Sequence, residues 1–371
     1  MKPKHLIIIS SIILSVAILA SILILNFYKT ELSPTQTLEE CHTLKYNSEN
    51  KIDIVLFSSK EQAEKYSDYL LTINPFSTNK DSFNFYYIDS YTPECEIYKG
   101  IALLCYNKEL IKMASSCPND YIVVIKDESA GIRSSSYMNV MSLNVNHFLS
   151  VFAHEFGHAI AVLAEEYTPA DIPRGAKNCV SDCRRFSTSD GCFQGCSKED
   201  YYRSIDNGIM RTLSSNTFGK FDEFLILEKI KKKIGAGITG AVTQNPIDCS
   251  NEKYYLIDGN YYTSNNQIAI SNKSIQQGCV GSNGAGFFEY NLILTDNFII
   301  KTGEFNPELI FTDVQEEGQE EISGQIYESD KSFLLKIPAV EKAKTLEIIK
   351  DGEKLTEINL ETIGAEFCRI R

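Results

Sequence analysis

Apolar runs alternate with amphipathic stretches in the first half of the chain. The runs KIDIVLFSS (51–59), FNFYYIDSY (83–91) and DYIVVIKD (120–127) are rich in β-branched and aromatic residues, as buried strands are. Helical periodicity separates them, first in KEQAEKYSDYLLTI and then in KELIKMASS. Strands that alternate with helices predict an α/β sheet.

The pattern changes after about residue 245. KYYLIDGNYYT predicts a hairpin with its turn at Asp258 and Gly259, and strand-like runs bounded by turn residues continue to TLEIIKDGEKLTEINL. Closely spaced strands without helices predict an all-β sandwich of the immunoglobulin-like type. We therefore expect one folded domain over residues 49–240 and a β-sandwich domain over 245–371.

The N-terminus carries an uncharged apolar stretch from Leu6 to Phe27. Its length is close to the roughly 20 residues of a membrane-spanning helix, and it lacks the cleavage site of a signal peptide. We expect a transmembrane anchor over residues 1–28, retained in the mature protein, and a polar stalk over 29–48. Lysines before the span favour a single-pass protein of the cell membrane with its domains on the extracytoplasmic side.

Eleven cysteines fit a protein that folds in an oxidising compartment. Four follow a C-x3-C…C-x3-C spacing, namely Cys179, Cys183, Cys192 and Cys196. That spacing would also suit a structural zinc ion, but thiols outside the cytoplasm oxidise, so we favour disulfides. Cys249 and Cys279 could form a further bridge.

The overall charge argues against one class of partner. The chain has a net charge of −13, whereas binding to phosphates needs a clustered basic surface. The one basic cluster, EKIKKKIG (228–235), is typical of the solvated end of a helix. We therefore expect no nucleic-acid partner.

The candidate chemistry lies in VFAHEFGHAIAVLAEEYTP (151–169). His154 and His158 are four residues apart, so on a helix both imidazoles can bind one ion. Glu155 is offset, so its carboxylate can reach a water molecule on that ion. In such H-E-x-x-H sites zinc lowers the pKa of the water toward about 7 and the glutamate takes its proton. The alternative is a core helix with two hydrogen-bonded histidines.

A catalytic zinc ion needs a third protein ligand. Glu165 and Glu166 follow His158 by seven and eight residues. On a straight helix Glu166 would lie about 12 Å beyond His158, too far for bonds of about 2 Å. Either the helix ends near residues 161–164 and the chain folds back, or the third ligand lies elsewhere.

The segment HEFGHAIAVLAEEY resembles the signature of the IgA-peptidase-type zinc metallopeptidases, approximately H-E-F-G-H-x-x-x-x-L-x-D-E-Y. Two further segments are similar to that family, LLCYNKELIKMASSCPNDYIVVI (103–125) upstream and YYRSIDNGIMR (201–211) downstream. The resemblance covers about residues 50–235 and implies a metzincin-like fold with Met210 beneath the metal. It also implies four site residues: the zinc ligands His154, His158 and Glu166, and the general base Glu155.

The chain departs from this family at two positions. Ala161 stands where the family commonly has glycine, so the chain reversal must be made without it. Glu165 stands where the family has aspartate, which leaves the choice between the two carboxylates open. We prefer Glu166, because it aligns with the family's glutamate and leaves one more residue for the reversal.

Three other residues are weaker candidates for a role in the site. His147 would lie about 10 Å from His154 along a continuous helix, which makes it a poor ligand candidate. Tyr167 could polarise a substrate carbonyl, although tyrosines are plentiful here and a packing role is favoured. Met210 could equally fill a gap in any core.

Together these features predict a membrane-anchored, extracytoplasmic zinc endopeptidase. The predicted fold class is an α/β metzincin-like protease domain followed by an immunoglobulin-like sandwich, with an N-terminal transmembrane helix. The expected cofactor is one zinc ion, and the expected partners are a protein or peptide substrate and the membrane. Two alternatives remain, a non-catalytic surface binding module on a retained zinc scaffold and a zinc amidase acting on cell-wall amides.

Overall fold

The computed structural model describes residues 38–235, 249–315, 318–361 and 363. Within these residues nineteen strands form five sheets, accompanied by four α-helices. The helices are α1 (Lys60–Leu70), α2 (Lys108–Ala114), α3 (Ser150–Ala161) and α4 (Lys220–Gly235). The strands are β1 (His42–Lys45), β2 (Ile52–Phe57), β3 (Phe83–Ile88), β4 (Glu96–Tyr98), β5 (Ala102–Leu104), β6 (Tyr121–Lys126), β7 (Ser134–Tyr137), β8 (Val140–Asn144), β9 (Phe193–Cys196), β10 (Lys198–Arg203), β11 (Lys253–Tyr262), β12 (Gln267–Gln277), β13 (Phe288–Leu294), β14 (Ile299–Phe305), β15 (Leu309–Val314), β16 (Ser323–Glu328), β17 (Phe333–Pro338), β18 (Ala343–Lys350) and β19 (Glu353–Asn359).

The largest sheet has eight strands in the order β1-β3-β2-β6-β8-β7-β15-β16. Its centre, β3-β2-β6-β8, is parallel, and the outer strands are antiparallel to their neighbours. The parallel strands are buried on both faces, which explains their almost continuous apolar sequences. Helix α3 packs against β7 and β8 and is itself buried along nearly its whole length.

The predicted fold class is wrong. The described residues are mostly β-sheet with few helices, and they do not support an α/β metzincin-like fold. The physical reason lies in the connections: between β3 and β6 the chain inserts the hairpin β4–β5 as well as α2, and between β6 and β8 it inserts strand β7 with no helix. Of these connections, only the one between β2 and β3 consists of helical segments without a strand, namely α1 and the 3₁₀ helix Ser77–Ser82.

The membrane prediction also needs correction. No helix within the described ranges is long and apolar enough to cross a bilayer. The predicted single-pass membrane localisation is therefore not supported by the described residues. The predicted anchor itself, residues 1–28, lies outside the described residues.

The C-terminal strands form two antiparallel sheets, β12-β11-β17 and β14-β13-β18-β19, which share one apolar core. Between them in sequence, β15 and β16 leave these sheets and extend the large sheet beyond β7. The predicted domain boundary at residues 240–245 lies outside the described residues and stays a prediction. Strand β1 lies within the predicted stalk and pairs with β3.

Disulfides confirm the interpretation of the cysteines. Five bridges are formed: Cys41–Cys117, Cys95–Cys105, Cys179–Cys196, Cys183–Cys192 and Cys249–Cys279. They include all four cysteines of the C-x3-C…C-x3-C segment and the predicted bridge near the first C-terminal strand. Such bridges fit an extracellular protein.

Candidate metal centre

Two histidines on helix α3 direct one nitrogen each toward the same point. The Nδ1 atom of His154 lies 3.0 Å from the carbonyl of Ile209, and that of His158 lies 2.7 Å from the carbonyl of Leu163. Because a carbonyl oxygen only accepts, each Nδ1 carries a proton, and whenever the ring is neutral its lone pair therefore lies on Nε2. The two Nε2 atoms are 3.1 Å apart.

Two carboxylates complete the group. Glu165 places an oxygen 3.0 Å from Nε2 of His158 and another 3.6 Å from Nε2 of His154. Asp313 on β15 places Oδ2 at 3.4 Å from His154 and 3.7 Å from His158. All four side chains are buried.

These distances suit the coordination of a cation. Ligand atoms around a tetrahedral ion lie about 3.3 Å apart when each bond is about 2.0–2.1 Å long. The distances that link the histidine nitrogens to one another and to the carboxylates span 3.0–3.7 Å. The group His154, His158, Glu165 and Asp313 could therefore hold a metal ion.

A left-handed residue at the end of α3 makes the chain reversal. The helix stops at Ala161, and Val162 adopts φ 53° and ψ 43°. Its N–H donates to the carbonyl of His158 at 3.0 Å, which closes the last turn. The reversal therefore takes place without glycine, one residue after the position where glycine was expected.

The reversal brings Glu165, and not Glu166, to the histidines. The backbone N–H of Glu166 donates to the carbonyl of Met210 at 2.9 Å, which fixes this residue on the opposite side of the chain. Its carboxylate lies beside Asp222, and burial, assisted by the charge of Asp222, raises the pKa of Glu166 well above its ordinary value.

Sequence reasoning missed Asp313. This residue lies far from the H-E-x-x-H segment in sequence and meets it only because β15 pairs with β7. The available signal was weak: an acidic residue within the apolar strand LIFTDV, whose burial demands a partner. Burial raises the pKa of Asp313, but the two histidines outweigh burial and hold it well below the ordinary value.

Glu155 is buried beside this group without a hydrogen-bond partner. Neither carboxylate oxygen has a partner among the described residues. Burial raises the pKa of Glu155 well above its ordinary value; the charges of Asp313 and Glu165 add to the rise, and His158 opposes it. A carboxylate in this position can hold a proton close to the histidine nitrogens.

The remaining candidates take different places. His147 lies outside the group, because Nδ1 pairs with the hydroxyl of Ser134 at 2.9 Å and Nε2 lies 3.2 Å from the carbonyl of Ala130. The Tyr167 hydroxyl donates to Oδ1 of Asp313 at 3.1 Å, so it lies beside the group. Met210 is fully buried beneath α3, where a Cβ on Gly157 would approach its sulfur to 3.0 Å.

Comparison with known proteins does not name a family. No protein-family model matches the sequence, and no curated protein matches it.

Proposed function

We propose that this protein is a zinc-dependent endopeptidase in which His154, His158 and Glu165 hold the ion. Two imidazoles and a carboxylate at tetrahedral spacing are the donor set of many catalytic zinc sites. When bound, zinc supplies a water of low pKa and polarises a carbonyl oxygen. The three segments that resemble zinc metallopeptidases support peptide bonds as the target.

The observation that carries this proposal is the unpartnered carboxylate of Glu155. Burial of a carboxylate without hydrogen bonds is costly and contributes nothing to packing. Its position beside the histidines suits a general base, which takes a proton from the attacking water and returns it to the leaving amine. A purely structural metal site would gain nothing from it.

One observation favours a second candidate, a non-catalytic binding module on a zinc scaffold. Asp313 is close enough to be a fourth protein ligand, and structural zinc sites have four protein ligands, whereas catalytic sites keep one position open. The test must therefore measure activity both with Asp313 present and with it replaced.

The test compares Glu155→Gln with Glu61→Gln, an exposed glutamate on α1, in the wild-type chain and in Asp313→Asn. Each protein is loaded with zinc and assayed on a library of quenched fluorescent peptides. Glu155→Gln should keep one zinc per chain and lose about 10²–10⁴-fold of the hydrolysis rate, because general-base assistance is lost. Glu61→Gln should have no effect. No hydrolysis in either background with zinc bound would reject the endopeptidase and favour the binding module.

A further inference from the structure

Strand β15 occupies the sheet edge beside the candidate metal centre. It pairs antiparallel with β7 from Ile310 opposite Tyr137 to Asp313 opposite Ser134. Helix α3, which carries the histidines, packs against β7 and β8. Without the hairpin β15–β16, strand β7 would be an open edge, and open edges accept extended peptides through backbone hydrogen bonds.

Two side chains of β15 cover the site directly. Phe311 and Asp313 are two residues apart and therefore point from the same face of the strand. The ring of Phe311 stacks on His158 with centroids 4.1 Å apart and planes inclined by 17°, and Asp313 faces both Nε2 atoms. As a result His154 is 0% exposed and His158 is 3% exposed, so a substrate cannot reach them.

The residues around Asp313 leave room for its carboxylate and donate a hydrogen bond to it. Its Oδ1 accepts the hydrogen bond from Tyr167, and Gly324 lies opposite it on β16. A Cβ at Gly324 would fall 1.9 Å from that Oδ1 and 2.3 Å from the Tyr167 hydroxyl. Any larger residue there would displace the carboxylate from the histidines.

Polar contacts tie the far end of the hairpin to the segment beneath the site. The N–H of Ile322 donates to the carbonyl of Arg211 at 2.9 Å, and the Arg211 guanidinium pairs with Glu321. The N–H of Leu213 donates to Oε1 of Gln315. These contacts hold the hairpin β15–β16 in place. Within the described residues, the backbone pairing of this hairpin to the rest of the large sheet is the short pairing of β15 with β7.

We propose that β15 is an inhibitory strand built into the chain. It lies along β7 where an extended peptide substrate binds, and Asp313 takes the ligand position that the reacting water requires. Displacement of β15 opens both the strand edge and the ligand position, and it frees the Tyr167 hydroxyl beside the site. This proposal rests on the proposed function, which supplies the metal and the peptide substrate.

The test uses the full chain loaded with cobalt(II), whose visible absorption reports its ligands. Asp313→Asn keeps the side-chain volume, and Glu328→Gln at the exposed end of the same hairpin is the matched control. Acetohydroxamate should bind Asp313→Asn at least about tenfold more tightly than wild type or Glu328→Gln, because a competitor for the open position has been weakened. Equal affinities in the three proteins would overturn the proposal. So would a loss of cobalt from Asp313→Asn alone, which would make Asp313 a permanent structural ligand.

Hydrogen exchange tests the displacement of the strand. A pentapeptide with a C-terminal hydroxamate, added to cobalt-loaded Asp313→Asn, should increase amide exchange in residues 309–314 and leave residues 121–126 of β6 protected. Unchanged protection of residues 309–314 with the probe bound would show that substrate does not replace β15. Absence of cobalt binding in the wild-type chain would instead overturn the proposed function, and this proposal with it.

Discussion

At the scale of single residues, adjacent glutamates end in different chemical surroundings. Glu165 faces two histidine nitrogens, and Glu166 lies with Asp222 on the other side of the chain. Burial raises the pKa of both Glu166 and Asp222 well above their ordinary values. Within the described residues only Glu165 lies with a set of side chains that could hold a metal ion.

A buried lysine makes the stability of this protein depend on pH. Lys336 on β17 is almost fully buried and donates to Oδ1 of Asn119. Burial lowers the pKa of Lys336 to about 7, although the charge of Asp120 opposes the shift. Between pH 7 and the unfolded pKa near 10.5 the unfolded chain therefore binds the additional proton, and the free energy of unfolding rises with pH.

Lys336→Met should remove this pH dependence. Urea unfolding of wild type from pH 7 to 9.5 should show stability that rises by up to a few kcal/mol relative to the variant. The difference between the two proteins, and not either curve alone, is the quantity to follow, since other groups titrate in this range. A difference that stays constant with pH would show that Lys336 has an ordinary pKa.

At the scale of elements, the end of α3 depends on a strained residue. Val162 is β-branched, yet it adopts a left-handed conformation that costs roughly 1–2 kcal/mol for residues other than glycine. The strain persists because the reversal positions Glu165 against the histidines.

At position 162 we expect the glycine variant to be more stable than the alanine variant, which reverses the usual order of stability for these two residues. Both substitutions remove the buried side chain, but only glycine escapes the left-handed penalty. Val162→Gly should therefore be more stable than Val162→Ala by about 1 kcal/mol, measured as the difference between their urea unfolding midpoints. Greater stability of the alanine variant would mean that the left-handed conformation at this position is relaxed in solution.

Local patterns predicted single elements better than their assembly. The apolar runs at 51–59, 83–91 and 120–127 correspond to β2, β3 and β6. The turn at Asp258 and Gly259 is wrong: β11 runs through both residues with an irregularity in its pairing to β12. Glycine is needed there because the ring of Phe333 approaches within 2.5 Å of where a Cβ would lie.

In the candidate site too, the residues set by local spacing were predictable from the sequence and the others were not. His154, Glu155 and His158 follow from helical spacing, which is local. The choice of Glu165 depends on the conformation of Val162, and Asp313 depends on the pairing of β15 with β7. The hydrophobic periodicity of a sequence specifies neither which distant strands pair nor the direction in which the chain reverses after a helix.

At the scale of the whole molecule, the candidate metal centre joins two parts of the chain that lie far apart in sequence. Helix α3 supplies the histidines, the reversal supplies Glu165, and the C-terminal part supplies Asp313 through the extended sheet. Disulfides brace the surroundings, since Cys179 and Cys196 are joined and both lie close to the carbonyl of Glu165. The disulfide therefore lies directly beside the backbone of Glu165, the proposed third ligand.

Competitive zinc titration against a chelating dye tests this account most directly. The wild-type chain should bind one zinc, and Glu165→Gln should weaken binding by more than about 100-fold because a ligand is lost. Glu166→Gln, the matched neighbour, should cost less than the about 10–100-fold that second-layer groups contribute. The reverse ranking would return the third ligand to Glu166, and a wild-type chain that binds no zinc would contradict the metal centre altogether.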